Sequence, residues 1–446
     1  MKKRELIFFA AFATFLSANA QEKQTWSLDD CINYALEKNI QLQQNKISLQ
    51  ESEVDVKTAK AALFPSLSFN TGQNLVNRPY QENSATVSGT EIISSTNKTT
   101  YNGSYSLSAQ WTLWNGGQRL NNIKQQKKNQ EIAELSVAET ENTLKEEITK
   151  LFLQILYADE SVNINKGTLE VSKATYERAK ELFNQGSISK ADLAQLESQV
   201  GNDEYQLVTS ESSLRNYKLQ LKQMLELDGT AEMELELPVL DDAKVMQLLP
   251  NQEDVYQTAL ANRPEIQSSK LSIDNAKLAI SSAKSGYFPT ISLSASTSSM
   301  TNNSSQNNWA QQMKYGWNMI GLNISVPIFN NRQTKSAVEK AQFQYNSSLL
   351  NLQDKQKGLY TDIETIWLDA LNAQQQYAAA EVKLKSSQTS FDMVNEQFKL
   401  GMKNTVELLT EKNNLLSAQQ QRIQAKYMAI LNRTLLDFYA GKDIEL

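Results

Sequence analysis

The sequence predicts a mixed fold in which long coiled-coil helical hairpins are joined to short membrane-crossing β-strands, the whole arrangement occurring twice. Three observations carry this. The chain repeats itself: residues 28–68 realign without a gap onto 252–292, and residues 107–227 realign onto 322–442. Each copy holds a span of roughly a hundred residues without proline and with apolar residues at helical spacing. Each copy also holds two segments of strict apolar–polar alternation, the period of a β-strand. A repeat of this length is far too long for a solenoid and implies two large homologous halves.

Met1-Lys2-Lys3-Arg4 is basic, Leu6 to Leu16 is almost wholly apolar, and Ala18-Asn19-Ala20 offers small residues for cleavage. Residues 1–20 therefore read as a secretory signal peptide, since the apolar run is too short to span a bilayer. Residue 21 is Gln rather than Cys, so no lipidated N-terminus is expected. The first repeat then occupies 21–227. Asp30, Ala35, Leu36, Gln43, Lys46, Ser48, Ala59, Lys60, Phe64, Pro65 and Ser68 all meet identical residues in the second half.

Strands are expected at about 66–76 and 101–114. Leu67 and Phe69 alternate with Ser66 and Ser68; Leu107, Ala109, Trp111 and Leu113 alternate with Ser106, Ser108, Gln110 and Thr112. The polar face is uncharged, as expected for a water-filled lumen; an ordinary soluble sheet with its apolar face on a core is the alternative to a membrane sheet. Tyr101, Trp111, Trp114, Trp309, Tyr315 and Trp317 lie toward strand ends, where interfacial girdles sit. The offset between the copies falls from 224 to 215 across this region, which places nine extra residues between Pro65 and Asn115. The polar segment from Gln81 to Thr100 is expected to absorb them as an exposed loop.

A helical hairpin follows at about 115–227. Its first helix, from Asn115 to about Leu182, would be about 100 Å long at 1.5 Å per residue and needs other long helices alongside. Phe183 to Ser189 forms the tip: Gly186 supplies a left-handed cap, and Ser189 with Asp192 reads as the N-cap pair of the next helix. Residues 228–250 form a linker. The second repeat spans 251–446, with strands at about 290–300 and 314–329 and a hairpin at about 330–440. In it Ile291, Leu293 and Ala295, then Ile320, Leu322 and Ile324, supply the apolar face, and Asn302 to Gln312 forms a second exposed loop. Its tip repeats the first, with Gly401 in place of Gly186 and Asn404 with Glu407 as the cap pair.

Composition removes whole classes of function. Histidine is absent, which excludes Ser-His-Asp and Cys-His catalysis and every His-ligated metal site. Cys31 is the single cysteine, so no intrachain disulfide forms; it aligns with Val255 and reads as a small buried apolar residue. The chain is not expected to be an enzyme or to need a cofactor or metal. Residues 1–20 carry a net +2 and the whole chain −6, leaving the remainder near −8, which gives no footprint for nucleic acid. Four strands in lipid leave open edges, so several copies must close the sheet. Two copies would supply eight strands and three would supply twelve.

These features together resemble the TolC-like outer membrane efflux proteins. The resemblance rests on the duplication, on Phe64-Pro65 and Phe288-Pro289 entering each strand pair, on Trp114-Asn115 and Phe329-Asn330 leaving it, and on the Phe183–Gly186 and Phe398–Gly401 tips. It implies a homotrimer with a twelve-stranded barrel in outer membrane lipid and an all-α coiled-coil barrel in the periplasm. It implies an exit duct for efflux or type I secretion, partnered by a periplasmic adaptor and an inner-membrane transporter. The tips, with Phe183, Gly186, Phe398 and Gly401, would meet the adaptor. Pro65, Asn115, Pro289 and Asn330 would mark the barrel-to-helix transitions. By the same resemblance Asp192 pairs with Lys403 at a periplasmic gate, and Glu407 and Thr410 take constricting ring positions. Capping alone accounts for Asp192 and Glu407 equally well. From the residues themselves, a trimeric coiled-coil structural or adhesive protein of the envelope is the rival reading.

Overall fold

The computed structural model describes residues 25–80, 84–88, 90–95, 99–228, 233–238, 240–302 and 316–445. The expected signal peptide, Trp309 and Tyr315 lie outside the described residues. The chain divides into two compact units.

One unit comprises Lys46–Ser136 with Glu265–Lys355. Its centre is a four-stranded antiparallel sheet of β2 (Ser66–Asn77), β5 (Thr99–Asn115), β7 (Thr290–Asn302) and β8 (Trp317–Ser325), in that spatial order. Strands β5 and β7 come from different halves yet pair from Asn102↔Asn302 to Asn115↔Thr290, with one shift of register between Thr112 and Trp114. Strands β2 and β8 form the edges, each paired on one side only among the described residues. The register puts Leu67, Ala109, Ala295 and Ile320 in one row across all four strands, and Ser68, Ser108 and Ser296 in the next. The apolar row is exposed on the edge strands, with Leu67 70% and Ile320 80% exposed, and half-buried at Ala109 and Ala295 between them. On the other face Ser68 Oγ lies 2.8 Å from Ser108 Oγ.

Three strand expectations need correction. The last strand ends at Ser325 rather than 329, because Pro327 lacks the N–H that would continue the ladder; residues 314 and 315 lie outside the described residues. The loop from Gln81 to Thr100 holds a two-stranded hairpin, β3 (Ser84–Ser88) and β4 (Glu91–Ser95). The expected alternation also breaks at Leu113, where the pairing with β7 shifts: Thr112 opposes Ser292 and Trp114 opposes Ile291. Such a bulge inserts one residue and bends the strand. It returns Trp114 to the apolar row, where its ring meets Phe288 edge-on at 6.0 Å.

The other unit comprises the residues up to Asn45 with Val137–Pro264 and Gln356–Leu446. It holds most of helices α3 (Gln118–Asn184) and α8 (Gln333–Lys399), each 67 residues long. Their partners, α4 (Lys190–Met224) and α9 (Thr405–Tyr439), are 35 residues each. Helix α3 begins at Gln118 rather than Asn115, because Gly116 and Gly117 both take positive φ first. At one end a core of α1 (Leu28–Lys38), α3, α4 and α9 residues gathers Cys31, Ile148, Phe152, Leu221 and Leu225. A parallel pair, β1 (Thr25–Trp26) with β6 (Glu234–Leu235), and the short α5 (Asp242–Val245) cover it.

The repeat reappears in detail. Helix α1 stops at Asn39 before α2 (Ile40–Ala61), and α6 (Gln252–Asn262) stops at Arg263 before α7 (Pro264–Lys284). Asn39 and Arg263 are aligned positions. In the second half Pro264 supplies the break, since proline is accommodated at the first helical position.

Candidate functional site: the helical tips and the strand-to-helix junctions

Each long hairpin turns through a glycine at positive φ, Gly186 at 76° and Gly401 at 73°. Around Gly186, the Ser187 amide donates to the Leu182 carbonyl and the Gly186 amide to that of Phe183; Met402 and Gly401 do the same toward Gln397 and Phe398. This double closure is the Schellman arrangement, which satisfies the last carbonyls of the first helix. The second helix of each hairpin opens on a capping box. Ser189 Oγ accepts from the Asp192 amide at 3.1 Å while Asp192 Oδ2 accepts from the Ser189 hydroxyl at 2.6 Å. Asn404 Oδ1 accepts from the Glu407 amide at 2.9 Å, and Glu407 Oε2 from the Asn404 amide at 3.1 Å.

The expected gate residues gather at these tips, with a different pairing. Lys403 Nζ lies 2.5 Å from Glu407 Oε1, one helical turn along the same strand of chain. Asp192 instead meets Ser189 and, across the hairpins, the hydroxyl of Thr405; together these hold its carboxyl below the usual carboxylate range. No hydrogen bond or ion pair joins Asp192 to Lys403 within one chain. Glu407 is likewise lowered, by Lys403 first and the Asn404 amide second. Thr410 turns its hydroxyl back to the Val406 carbonyl at 2.8 Å. Phe398 is buried against Ala179, Leu196 and Leu408, whereas Phe183 stays partly exposed. Thr405, buried and holding Asp192, is a tip residue that the sequence alone did not single out.

A second contact between the hairpins also went unread. Lys412 of α9, Asp203 of α4 and Ser172 of α3 are all buried, and Lys412 Nζ donates to both Asp203 Oδ2 and Ser172 Oγ. Gln199 Nε2 donates to the other Asp203 oxygen at 2.9 Å. Burial pushes the Lys412 ammonium below the usual lysine range, and Asp203 opposes that. A charge at an apolar seam position gives no periodic signal, and its partner lies more than 200 residues away.

At the junctions, two consecutive left-handed residues connect strand to helix in both halves: Gly116-Gly117 in one and Asn331-Arg332 in the other. Arg119 Nη1 donates to the Ala62 carbonyl at 2.9 Å, and the aligned Thr334 hydroxyl donates to the aligned Gly286 carbonyl at 3.3 Å. Asn115 accepts from the Arg119 amide, and Asn330 donates to the Thr334 hydroxyl. Pro65 and Pro289 stand immediately before β2 and β7.

Residues 31–226 and 255–442 match the family model described as outer membrane efflux protein. The chain belongs to this family. Relatives include the alkaline protease secretion protein AprF of Pseudomonas aeruginosa, 26% identical over 42% of this chain and 39% of that one. TolC of Escherichia coli is 22% identical over 63% of this chain and 58% of that one. These alignments span less than two thirds of either relative's length. The crystal structure of CusC superposes with a TM-score of 0.78 over 93% of this chain and 92% of that one, at 17% identity. The shared fold is therefore the duplicated one, with strands and two long helical hairpins in each chain. Like the rest of the family, the chain is an outer membrane protein. Among the described residues no helix is long and apolar enough to cross a membrane.

Proposed function

We propose that the protein is the outer membrane exit duct of a tripartite efflux or type I secretion system. It passes solutes passively from a periplasmic adaptor and inner-membrane transporter to the exterior. The observation that carries this is the four-stranded sheet, with one apolar face that is exposed on both edge strands, an opposite face that is uncharged and mostly Ser, Thr and Asn, and two open edges among the described residues. A membrane protein cannot leave such edges unsatisfied, and three copies closing edge to edge give twelve strands around a passage. The flanks support the same assembly. Ile47 and Val54 on α2, and Phe343 and Leu350 on α8, are exposed apolar residues at heptad spacing, the seam chemistry of helices awaiting partners. Residues 228–250 act as an equatorial belt between the two repeats.

In this reading the tips form the periplasmic gate and meet the adaptor through the Gly186 and Gly401 turns, with Phe183 and Phe398 behind them. Three copies of Glu407 and Thr410 ring the opening. Asp192 and Lys403 bias it closed by charge, Lys403 by way of Glu407. Single-channel conductance in planar bilayers tests both levels. The wild-type protein should conduct, and Asp192→Ala combined with Lys403→Ala should conduct more. Absence of wild-type channels would sink the duct; equal conductance in the double variant would reduce these residues to helix caps. Cross-linking in membranes should give a trimer and capture the adaptor.

A further inference from the structure

The buried ion pair between the hairpins has a chemistry that the caps lack. Along α9 the buried seam runs Thr405, Leu408, Lys412, Leu415, the three–four spacing of a coiled-coil contact line. On α3 the line Leu169, Ser172, Ala179 faces it, and on α4 Leu196 and Asp203 stand seven apart. Lys412, Asp203 and Ser172 thus make one polar layer inside an otherwise apolar seam that contains Ala179, Leu196, Phe391, Leu408 and Leu415. The layer is paired internally. Both Asp203 oxygens accept, and the ammonium has two acceptors.

A complete buried ion pair adds little to stability over well-packed apolar side chains of the same volume, because both ions surrender their hydration. It does change what happens when the helices part. Two leucines that separate expose apolar surface to water, at a cost proportional to its area. A lysine and an aspartate that separate recover their hydration. The layer therefore lowers the cost of opening this seam, while its hydrogen bonds return the helices to one register on closing. The duplication sharpens the point. The aligned partners of Asp203 and Lys412 are Ala418 and Glu197, so the second possible layer of the repeat is absent.

We propose that Lys412, Asp203 and Ser172 form a separable clasp, the point at which α9 parts from α3 and α4 when the duct opens. This rests on the duct reading given above. The clasp lies along the helices beyond the cap residues at the tips and acts independently of them.

The test compares full-length wild type, Lys412→Met, Asp203→Leu and the double variant, in planar bilayers and by thermal unfolding in detergent. Lys412→Met strands a buried carboxylate and should lower the apparent Tm while raising the open fraction on the order of tenfold. The double variant replaces the pair with apolar contact. It should keep or raise the apparent Tm and lower the open fraction on the order of tenfold. A purely structural pair would move the Tm of the single variants and leave the gating of the double variant unchanged, which overturns the clasp. Should the single variants fail to assemble, the double variant decides alone, since it buries no unpaired charge. If the wild type conducts and the double variant matches it, the clasp fails and the duct stands. If the wild type does not conduct, the duct reading fails and takes the clasp with it.

Discussion

The junction glycines permit a prediction in which one neighbour serves as the control for the other. Gly116 and Gly117 are adjacent and both left-handed, with φ of 66° and 83°. A β-carbon on Gly117 would meet nothing within 4 Å, whereas one on Gly116 would lie 2.7 Å from the Ser285 carbonyl oxygen and 2.9 Å from Phe288 Cβ. Gly117→Ala therefore incurs only the left-handed penalty of about 1–2 kcal/mol, partly offset by about 0.4–1 kcal/mol of lost unfolded-state freedom. Gly116→Ala incurs the same penalty and an overlap as well. The nearest atom is backbone, held in place by the Ser285 hydroxyl donating to the Gly116 carbonyl at 2.9 Å. Ordinary contact begins near 3.4 Å, so the helix end must shift by about 0.7 Å. Overpacking of this kind costs about 1–3 kcal/mol, which brings Gly116→Ala to about 2–4 kcal/mol against about 1 for its neighbour. The apparent Tm of the detergent-solubilised protein, followed by circular dichroism, should fall clearly further for Gly116→Ala. Equal Tm values for the two variants would refute the close packing of this turn on the second half.

Two further outcomes follow from buried groups in the helical unit. Arg263 pairs with Glu146 at 2.9 Å in a nearly buried setting and lies over the Tyr439 ring at 4.0 Å. Arg263→Ala strands the carboxylate and should destabilise by about 3–5 kcal/mol, with Arg263→Lys retaining only part of the loss because it keeps charge without the planar stack; apparent Tm values rank the three. Cys31 is fully buried, and burial pushes its thiol up to about 12. At pH 8 iodoacetamide should leave the folded protein unlabelled and modify it in denaturant, as mass spectrometry would show; rapid native labelling would contradict its burial.

Much of the fold was legible because duplication doubles every weak signal. The long helices, the tips with their glycines and cap pairs, and the alternating strands each occur twice in the sequence. Cys31 could be read as buried because Val255 stands opposite. What escaped lacks either period or proximity. The bulge at Leu113 depends on a strand from the other half, and the hairpin of β3 and β4 occupies a polar stretch without apolar alternation strong enough to mark it. The break at Asn39 carries no proline and became visible only beside Arg263-Pro264. At the candidate gate the residues were found but their partners were not. An acid in the first turn of a helix, four residues after a lysine just before it, outcompetes an acid on another hairpin, which is why Lys403 takes Glu407. Thr405 and the Lys412–Asp203 pair could be recognised only once three helices lay side by side.

The two halves agree and differ in a pattern that separates scaffold from moving part. At the strand-to-helix junctions the contacts persist while the residues change. Arg119 and Thr334 are unlike side chains, yet each reaches the carbonyl that precedes its strand pair. Gly116-Gly117 and Asn331-Arg332 likewise make the same left-handed turn. A geometry maintained through such different residues is a requirement of the fold, since a sheet must meet its helices in the same way on both flanks. Toward the tips the reverse holds. The backbone turns are identical, but the charged side chains are not: Lys403 stands opposite Ile188, and the Lys412–Asp203 pair stands opposite Glu197 and Ala418. If all hairpins moved alike, selection for closure would act alike on both copies. A clasp and a tip that each take their lysine from the second hairpin fit the proposed duct if that hairpin moves against the first. The comparison of Lys412→Met with the double apolar variant is the measurement that separates such motion from static packing.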